Sequence, residues 1–316
     1  TTALAMSAEL AAAGGTEEDR LLAAALRHEG CEIELAAWTD GDDWRRYASV
    51  LVRSCWDYHL RPADFFAWID RLESRGTPVL NPVPLLRWNV DKRYLLDLEA
   101  RGVPIVPTVF GERFARDDLD RLRERWATDR LVAKPSIGAT AYGCRRLGRG
   151  DAVDAGNEDP SAATVLVQPF LPAVVEEGEW SLMLFDGELS HTVVKRPAAG
   201  EFRVQKEWGG SFRRAEPDGG LVALARRAVE AVDPLPAYAR VAALSRAGRP
   251  RTREAGAAGR GSPGWPDQTP VGAELVSARA HPCRGRARLG PDCGGERRPR
   301  AETSSAPTRP STKIHA

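Results

Sequence analysis

Leu131-Val132-Ala133-Lys134-Pro135-Ser136-Ile137-Gly138-Ala139-Thr140-Ala141-Tyr142-Gly143 reads as a short apolar strand that ends on a lysine and empties into small residues. Lysine is scarce in this chain. Of 45 Lys+Arg only five are lysines, namely Lys92, Lys134, Lys195, Lys206 and Lys313. An ammonium is a compact point charge on a thin stem, and it fits beside a phosphate in a cleft too narrow for a planar guanidinium. The small residues that follow let backbone N–H groups approach phosphate oxygens. Strand-to-strand loops favour glycine for other reasons as well, so the stretch opens a nucleotide reading without closing it.

Further along, Val165-Leu166-Val167-Gln168-Pro169-Phe170-Leu171-Pro172 is a strand running into a Pro-rich exit. Its last main-chain groups could pair with the edge of a purine, or could simply end a buried strand. Glu176, Glu177 and Glu179 are acids of the type that hold ribose hydroxyls, or that line a solvated loop. Asp186-Gly187 is a strong hairpin signal between two strands, Ser181–Phe185 and Ser190–Lys195. The second ends in Lys195-Arg196-Pro197, adjacent cations suited to a polyphosphate or to a surface ion pair. Lys92, in Asn89-Val90-Asp91-Lys92, lies about forty residues before Lys134. His191 is a lone strand histidine and is expected to be a packed residue. Neither a Ser/His/Asp arrangement nor a metal-type histidine cluster is present, which argues against hydrolytic nucleophilic catalysis.

Upstream the pattern is α/β. Strands are expected at Ala3–Ala8, Cys31–Trp38, Ser49–Trp56 and Pro78–Leu80, with helices opening at Thr16-Glu17-Glu18-Asp19 and Pro62-Ala63-Asp64. Such alternation predicts a parallel sheet. A helix is expected over Arg87–Arg101, extended chain over Val103–Phe110, a helix over Leu221–Val232 and a strand from Ala239. No apolar run approaches the roughly 20 residues needed to cross a bilayer, and no basic start precedes an apolar signal core. The five scattered cysteines form no metal-type pair, so a reducing cytoplasm is the expected setting. The chain opens on Thr1 without methionine, and an initial residue or two is expected to be missing.

The overall charge of +1 averages two unlike parts. Residues 242–316 hold 14 Lys+Arg and 6 Asp+Glu, and the other 241 residues hold 31 and 38. The last part carries 19 Gly+Pro, one tryptophan and no Phe, Tyr or Met, a composition that predicts disorder. We read it as out-of-frame translation of a GC-rich gene in preference to a natural basic tail, because the break falls inside a strand. Resequencing the gene between the codons for Asp233 and Arg253 tests that reading.

The order Lys92, Lys134 with its small-residue loop, Gln168-Pro169-Phe170-Leu171-Pro172, Glu179 and Arg196 resembles the ATP-grasp superfamily, closest to its glutathione synthetase-like and RimK-like branch. Arg53-Ser54-Cys55-Trp56-Asp57-Tyr58-His59, Leu86–Lys92 and Ser190–Arg196 are similar to the D-cycloserine synthetase type. The resemblance covers residues 1–241. It implies an N-terminal parallel-sheet domain over 1–82 that precedes the ATP-grasp domain, an incomplete ATP-grasp domain of α+β subdomains over 83–241, and a disordered segment over 242–316. It implies ATP as cofactor, with Lys92 and Lys134 on phosphates and the Gln168, Phe170 and Leu171 hinge on adenine. Glu179 would hold the ribose, and Arg196, the expected catalytic residue, would face the γ-phosphate. Trp56, Asp57 and Tyr58 are expected at the substrate, because open α/β sheets bind ligands beyond their strand ends. Gly209-Gly210 is expected on the acceptor side by the resemblance.

The implied activity is a carboxylate–amine ligase acting through an acyl phosphate on an amino-acid-like substrate, with Mg²⁺ as second cofactor. A homo-oligomer is compatible with this. The family's metal carboxylates are not matched, however. Ala239-Arg240-Val241-Ala242-Ala243-Leu244 has alanine where an aspartate is expected, and no later Glu-x-Glu or Glu-x-Asn stands in a strand-like context, so no metal ligand is assigned. Two alternatives stay open: a catalytically dead nucleotide-binding relative, and a nucleic-acid binder using the basic segment. That segment has no DNA- or RNA-reading motif.

Overall fold

The computed structural model describes residues 1–41, 43–158 and 164–244, and the main chain of 271–276. It opens with β1 (Thr2–Met6), β2 (Ile33–Ala37), β3 (Ser49–Ser54) and β4 (Val79–Leu80), a parallel sheet in the order β2-β1-β3-β4. The helix Glu17–His28 between β1 and β2 starts from Thr16, whose hydroxyl accepts from the Asp19 N–H while Asp19 accepts from the Thr16 N–H. That reciprocal cap satisfies two otherwise orphaned donors. The helix Pro62–Ser74 returns the chain from β3 to β4. It buries Phe65, Trp68, Ile69 and Leu72 against Trp38, Trp44 and the sheet. Cys31–Trp38 and Ser49–Trp56 each form a shorter strand than expected, and Cys55 and Trp56 lie beyond the C-terminal end of β3.

The expected helix over Arg87–Arg101 is two helices, Val83–Val90 and Tyr94–Ala100. The interruption has a cause. Asp91 forms a β-bridge with Ile137, and the Lys92 N–H donates to the Ser136 carbonyl at 2.9 Å. Those partners lie in the small-residue loop and draw residues 91–92 out of helical register. Of Val103–Phe110, only the end becomes a strand, β5 (Val109–Gly111). It joins β7 (Leu131–Pro135), β8 (Arg145–Leu147) and β10 (Val165–Pro169) in an antiparallel sheet ordered β5-β10-β7-β8. A two-stranded ribbon of β6 (Arg113–Phe114) and β9 (Val153–Asp154) lies beside the helix Arg116–Arg125, for which no helix was expected.

A third sheet follows: β11 (Glu179–Phe185), β12 (Glu188–Arg196), β13 (Ser211–Arg214), β14 (Tyr238–Leu244) and β15 (Val271–Val276), in the order β13-β12-β11-β14-β15. Asp186 and Gly187 both take positive φ, 49° and 79°, at the tight turn between β11 and β12. The helix Gly219–Glu230 buries Leu221, Leu224, Ala225, Ala228 and Val229 in a core shared with Leu182, Leu184 and Val241 of the sheet. Tyr238 ties this sheet to the first. Its hydroxyl donates to the carbonyls of Val52 and Leu80 at 2.9 and 3.1 Å, and Asn81 Nδ2 donates to its carbonyl at 2.9 Å.

The break at residue 241 falls inside a strand, β14, which continues to Leu244 with Ala242 and Leu244 buried. One expectation is corrected here. Residues 271–276, expected to lack regular structure, pair antiparallel with β14 and set Glu274 opposite Ala242. The remainder of the expected tail lies outside the described residues.

Candidate active site

The three sheets meet around a cavity of about 340 Å³. Trp56, Tyr58, Lys92, Lys134, Gln168, Phe170, Leu171 and Glu179 all line it, although they come from distant parts of the sequence. Lys134 is the penultimate residue of β7, opposite Leu166 of β10, and its side chain is half-buried. Beyond it the chain turns into the loop of residues 136–144.

That loop is held from several sides. Lys92 Nζ donates to the carbonyls of Pro135, Ser136 and Gly138 at 3.2, 3.3 and 2.9 Å. Tyr58 Oη donates to the Gly138 carbonyl at 3.3 Å, Trp208 Nε1 to the Thr140 carbonyl at 3.3 Å, and the rings of His59 and Tyr142 stand 4.8 Å apart. Thr140 and Ala141 take left-handed φ of 52° and 59°, sparsely populated for residues with a side chain and costly unless the surroundings enforce it. Gly143 (φ 63°) packs so closely on Pro135 that an added Cβ would lie 2.7 Å from its ring.

The hinge is partly committed to the protein. The Phe170 N–H donates to the Arg130 carbonyl at 2.8 Å, the Leu171 carbonyl accepts from Val174 N–H at 3.1 Å, and Gln168 Nε2 donates to Thr108 Oγ1 at 2.9 Å. The guanidiniums of Arg130 and Arg146 each lie 5.0 Å from the Phe170 ring centre. Glu179 and Lys195 face each other across β11 and β12, with Nζ 3.5 Å from the carboxylate.

Four expected residues do not line the cavity. Arg196 is exposed, and its Nε donates to the Glu177 carbonyl at 3.2 Å; Lys195 lines the cavity instead. Successive strand residues point to opposite faces, so of two adjacent cations one strand can offer only one to a cleft. Asp57 accepts from Trp38 Nε1 at 2.8 Å and lies 4.0 Å from Arg61, and so orients the turn without entering the cavity. Gly209 (φ 76°) and Gly210 serve a tight turn in which an added Cβ at Gly210 would run into the Val204 carbonyl.

Other lining cations had not been singled out. Arg53 is buried beside Asp19 at 3.2 Å, and the Ser54 hydroxyl donates to the same carboxylate at 2.7 Å. Arg203 chelates Glu201, and that hydrogen-bonded guanidinium holds the Glu201 carboxyl down at about 2. Arg240 comes from β14. The signal for Arg203 and Arg240 was too weak to use, because arginine is common throughout the chain. The Asp19 cap was legible, but its second task of holding Arg53 depends on tertiary contact.

A divalent magnesium ion, which the resemblance implies, needs oxygen ligands from carboxylates. β14 brings Arg240, Ala242, Ala243 and Leu244 to the cavity, and among the described residues no group of His, Cys, Asp or Glu could hold a metal ion. Ser181, the register partner of Ala242 on β11, has a buried hydroxyl with no partner among the described residues. The described residues do not fit the ion.

Residues 2–81 match the family described as D-cycloserine synthetase DcsG, N-terminal domain. The chain is 36% identical over 179 residues to the cycloserine biosynthesis protein DcsG of Streptomyces lavendulae, a match covering 54% of this chain and 60% of that protein. It is 33% identical over 156 residues to a glutathione synthetase of Prochlorococcus marinus (strain MIT 9313), covering 47% of this chain and 46% of that protein. The chain thus spans about half the length of the curated relatives it matches. Its fold is similar to the crystal structure of D-cycloserine synthetase DcsG, with a TM-score of 0.67 and 27% identity over 87% of this chain and 90% of that one. Residues 2–81 thus match the N-terminal domain family of D-cycloserine synthetase, and the fold over most of the chain is similar to that of the solved D-cycloserine synthetase.

Proposed function

We propose that this chain is an ATP-dependent carboxylate–amine ligase acting on an amino-acid-like substrate. The observation that carries the reading is the convergence of Lys134, Lys195, the Gln168–Leu171 hinge and the Trp56–Tyr58 turn on one cavity. A purine at the hinge and a triphosphate directed toward Lys134 and Lys195 would leave the reacting end near the β3 turn, where an acceptor can be oriented.

In the reaction a substrate carboxylate oxygen attacks the γ-phosphorus, and the bond to ADP breaks. An amine nitrogen then attacks the acyl carbon and loses its proton, and phosphate leaves. The protein's part is positioning and offsetting charge on the transferring phosphoryl. In this reading Lys134 and Lys195 hold phosphate oxygens, with Lys195 in the place expected for Arg196. Glu179 receives the ribose, and Tyr58 and Lys92 hold the loop over the phosphates. No described helix is long and apolar enough to cross a membrane. Cys31, Cys55 and Cys144 are not in a disulfide among the described residues, in keeping with the reducing cytoplasm proposed as the setting.

An ADP-release screen over pairs of amino acids tests this. Amine-dependent ADP formation is expected; ATP binding without release under any acceptor pair would contradict the ligase reading and leave a nucleotide-binding relative.

A further inference from the structure

We propose that Arg146 is a positioning residue for the nucleotide site, fixing from outside the cavity two aromatic rings that border the hinge end of the cleft. The inference rests on the reading above that sets a purine at the hinge, and it adds a residue that does not itself line the cavity. Arg146 is the middle residue of β8, the edge strand of the sheet ordered β5-β10-β7-β8. It pairs in register with Val132 of β7, which pairs in turn with Gln168 of β10. Register partners share one face of a sheet. Arg146 therefore stands on the face that Val132 and Gln168 present to the cavity, two strands or about 10 Å from Gln168.

From there its long side chain reaches back to two rings. The guanidinium carbon lies 5.0 Å from the centre of Phe170, in the hinge, and 4.6 Å from the centre of Phe202, in the segment between β12 and β13. The rings themselves stand 6.1 Å apart at 74°, an edge-to-face pair, and both line the cavity. A guanidinium is planar and weakly hydrated, so it can rest against two rings at once; a strongly hydrated ammonium cannot. Phe202 needs such a partner. The chain from Pro197 to Gln205 is neither helix nor strand, so no main-chain ladder sets the position of that ring and side-chain contacts must. The same alternation of cation and ring continues along the segment. Arg203 lies 3.2 Å from the centre of the Trp208 ring, and Trp208 Nε1 donates to the Thr140 carbonyl of the loop 136–144. Arg146 thus joins the hinge to a segment that also grips the opposite end of the cleft.

The test is calorimetric titration of a non-hydrolysable ATP analogue into the full chain in millimolar MgCl₂, with the parent beside R146A, R146K, F202L and the double variant R146A/F202L. Arg146 is exposed, so its replacement opens no core. Two cation–ring contacts predict an affinity about three- to tenfold weaker in R146A, with a melting temperature close to that of the parent. Arg146→Lys is expected to recover little of that loss. Because Arg146 acts through Phe202, the double variant is expected to bind about as weakly as the weaker single one. An R146A affinity within about twofold of the parent, a lysine that binds as tightly as the arginine, or losses that multiply in the double variant would each overturn the proposal. So would a melting temperature lowered by more than about 5 °C in R146A, which would make Arg146 a support of the fold. A parent chain that binds no analogue defeats the nucleotide reading itself, so the two failures are distinguishable.

Discussion

In the proposed function Lys134 is the residue on which the phosphate site turns: its half-buried side chain rises from a strand end and lines the cavity. Lys134→Ala is expected to abolish detectable nucleotide binding in calorimetry while the circular dichroism spectrum and melting temperature stay near those of the parent. Lys134→Arg is expected to restore little, because the planar fork is too wide for the space beside Pro135 and the loop. Asp19 is a different kind of residue. It is wholly buried and carries the Arg53 ion pair, so Asp19→Ala removes a carboxylate that both the buried Arg53 guanidinium and the Ser54 hydroxyl hold. Loss of about 3–5 kcal/mol in urea unfolding is expected. At this scale the sequence marked the scarce lysines because chemistry singles them out. It favoured Arg196, whereas Lys195 is the one that lines the cavity, because strand facing, and not residue type, decides which of two neighbours meets a cleft.

The loop 136–144 and its fastenings are the element that shapes the site. Gly143 combines a positive φ with a close approach to Pro135, so Gly143→Ala is expected to cost about 1–3 kcal/mol and to weaken nucleotide binding in parallel. The turn that carries Arg203 has its own acid sensitivity. The Glu201 carboxyl is held at about 2 by its hydrogen-bonded guanidinium, below its usual 4.5. Its contribution to stability is therefore complete above the unfolded value and is lost as pH falls from about 4.5 toward 2. Glu201→Gln is expected to flatten the fall in melting temperature of the parent across that window, measured by scanning fluorimetry. A slope in the variant as steep as the parent's would show that the acid sensitivity lies elsewhere. Strand pairing and the Asp186-Gly187 turn were legible from alternation and turn chemistry. The split of the helix at Asp91–Arg93 was not, because its cause is a bridge to Ile137, 46 residues away.

For the whole molecule, the parallel order of the first sheet follows from its strand–helix alternation, and the antiparallel pairing of β11 with β12 follows from the Asp186-Gly187 hairpin signal. The fastening of the first sheet to the third through Tyr238 and Asn81 is a long-range contact that no local pattern announces. Nor did composition announce β15, whose six residues sit among Gly, Pro and Arg and gain order by pairing with β14. Ending the chain after Leu244 would expose β14 as an unprotected sheet edge. A lower melting temperature and concentration-dependent aggregation, read by light scattering, are expected for that truncation. The central claim is that lysines at Lys134 and Lys195, the hinge and the clasped loop form one nucleotide cleft. A crystal structure of the full chain with a non-hydrolysable ATP analogue tests it most directly. The account predicts the purine against Gln168–Leu171 and the triphosphate between Lys134 and Lys195. Nucleotide bound elsewhere, or this cavity empty at saturating analogue, would contradict it.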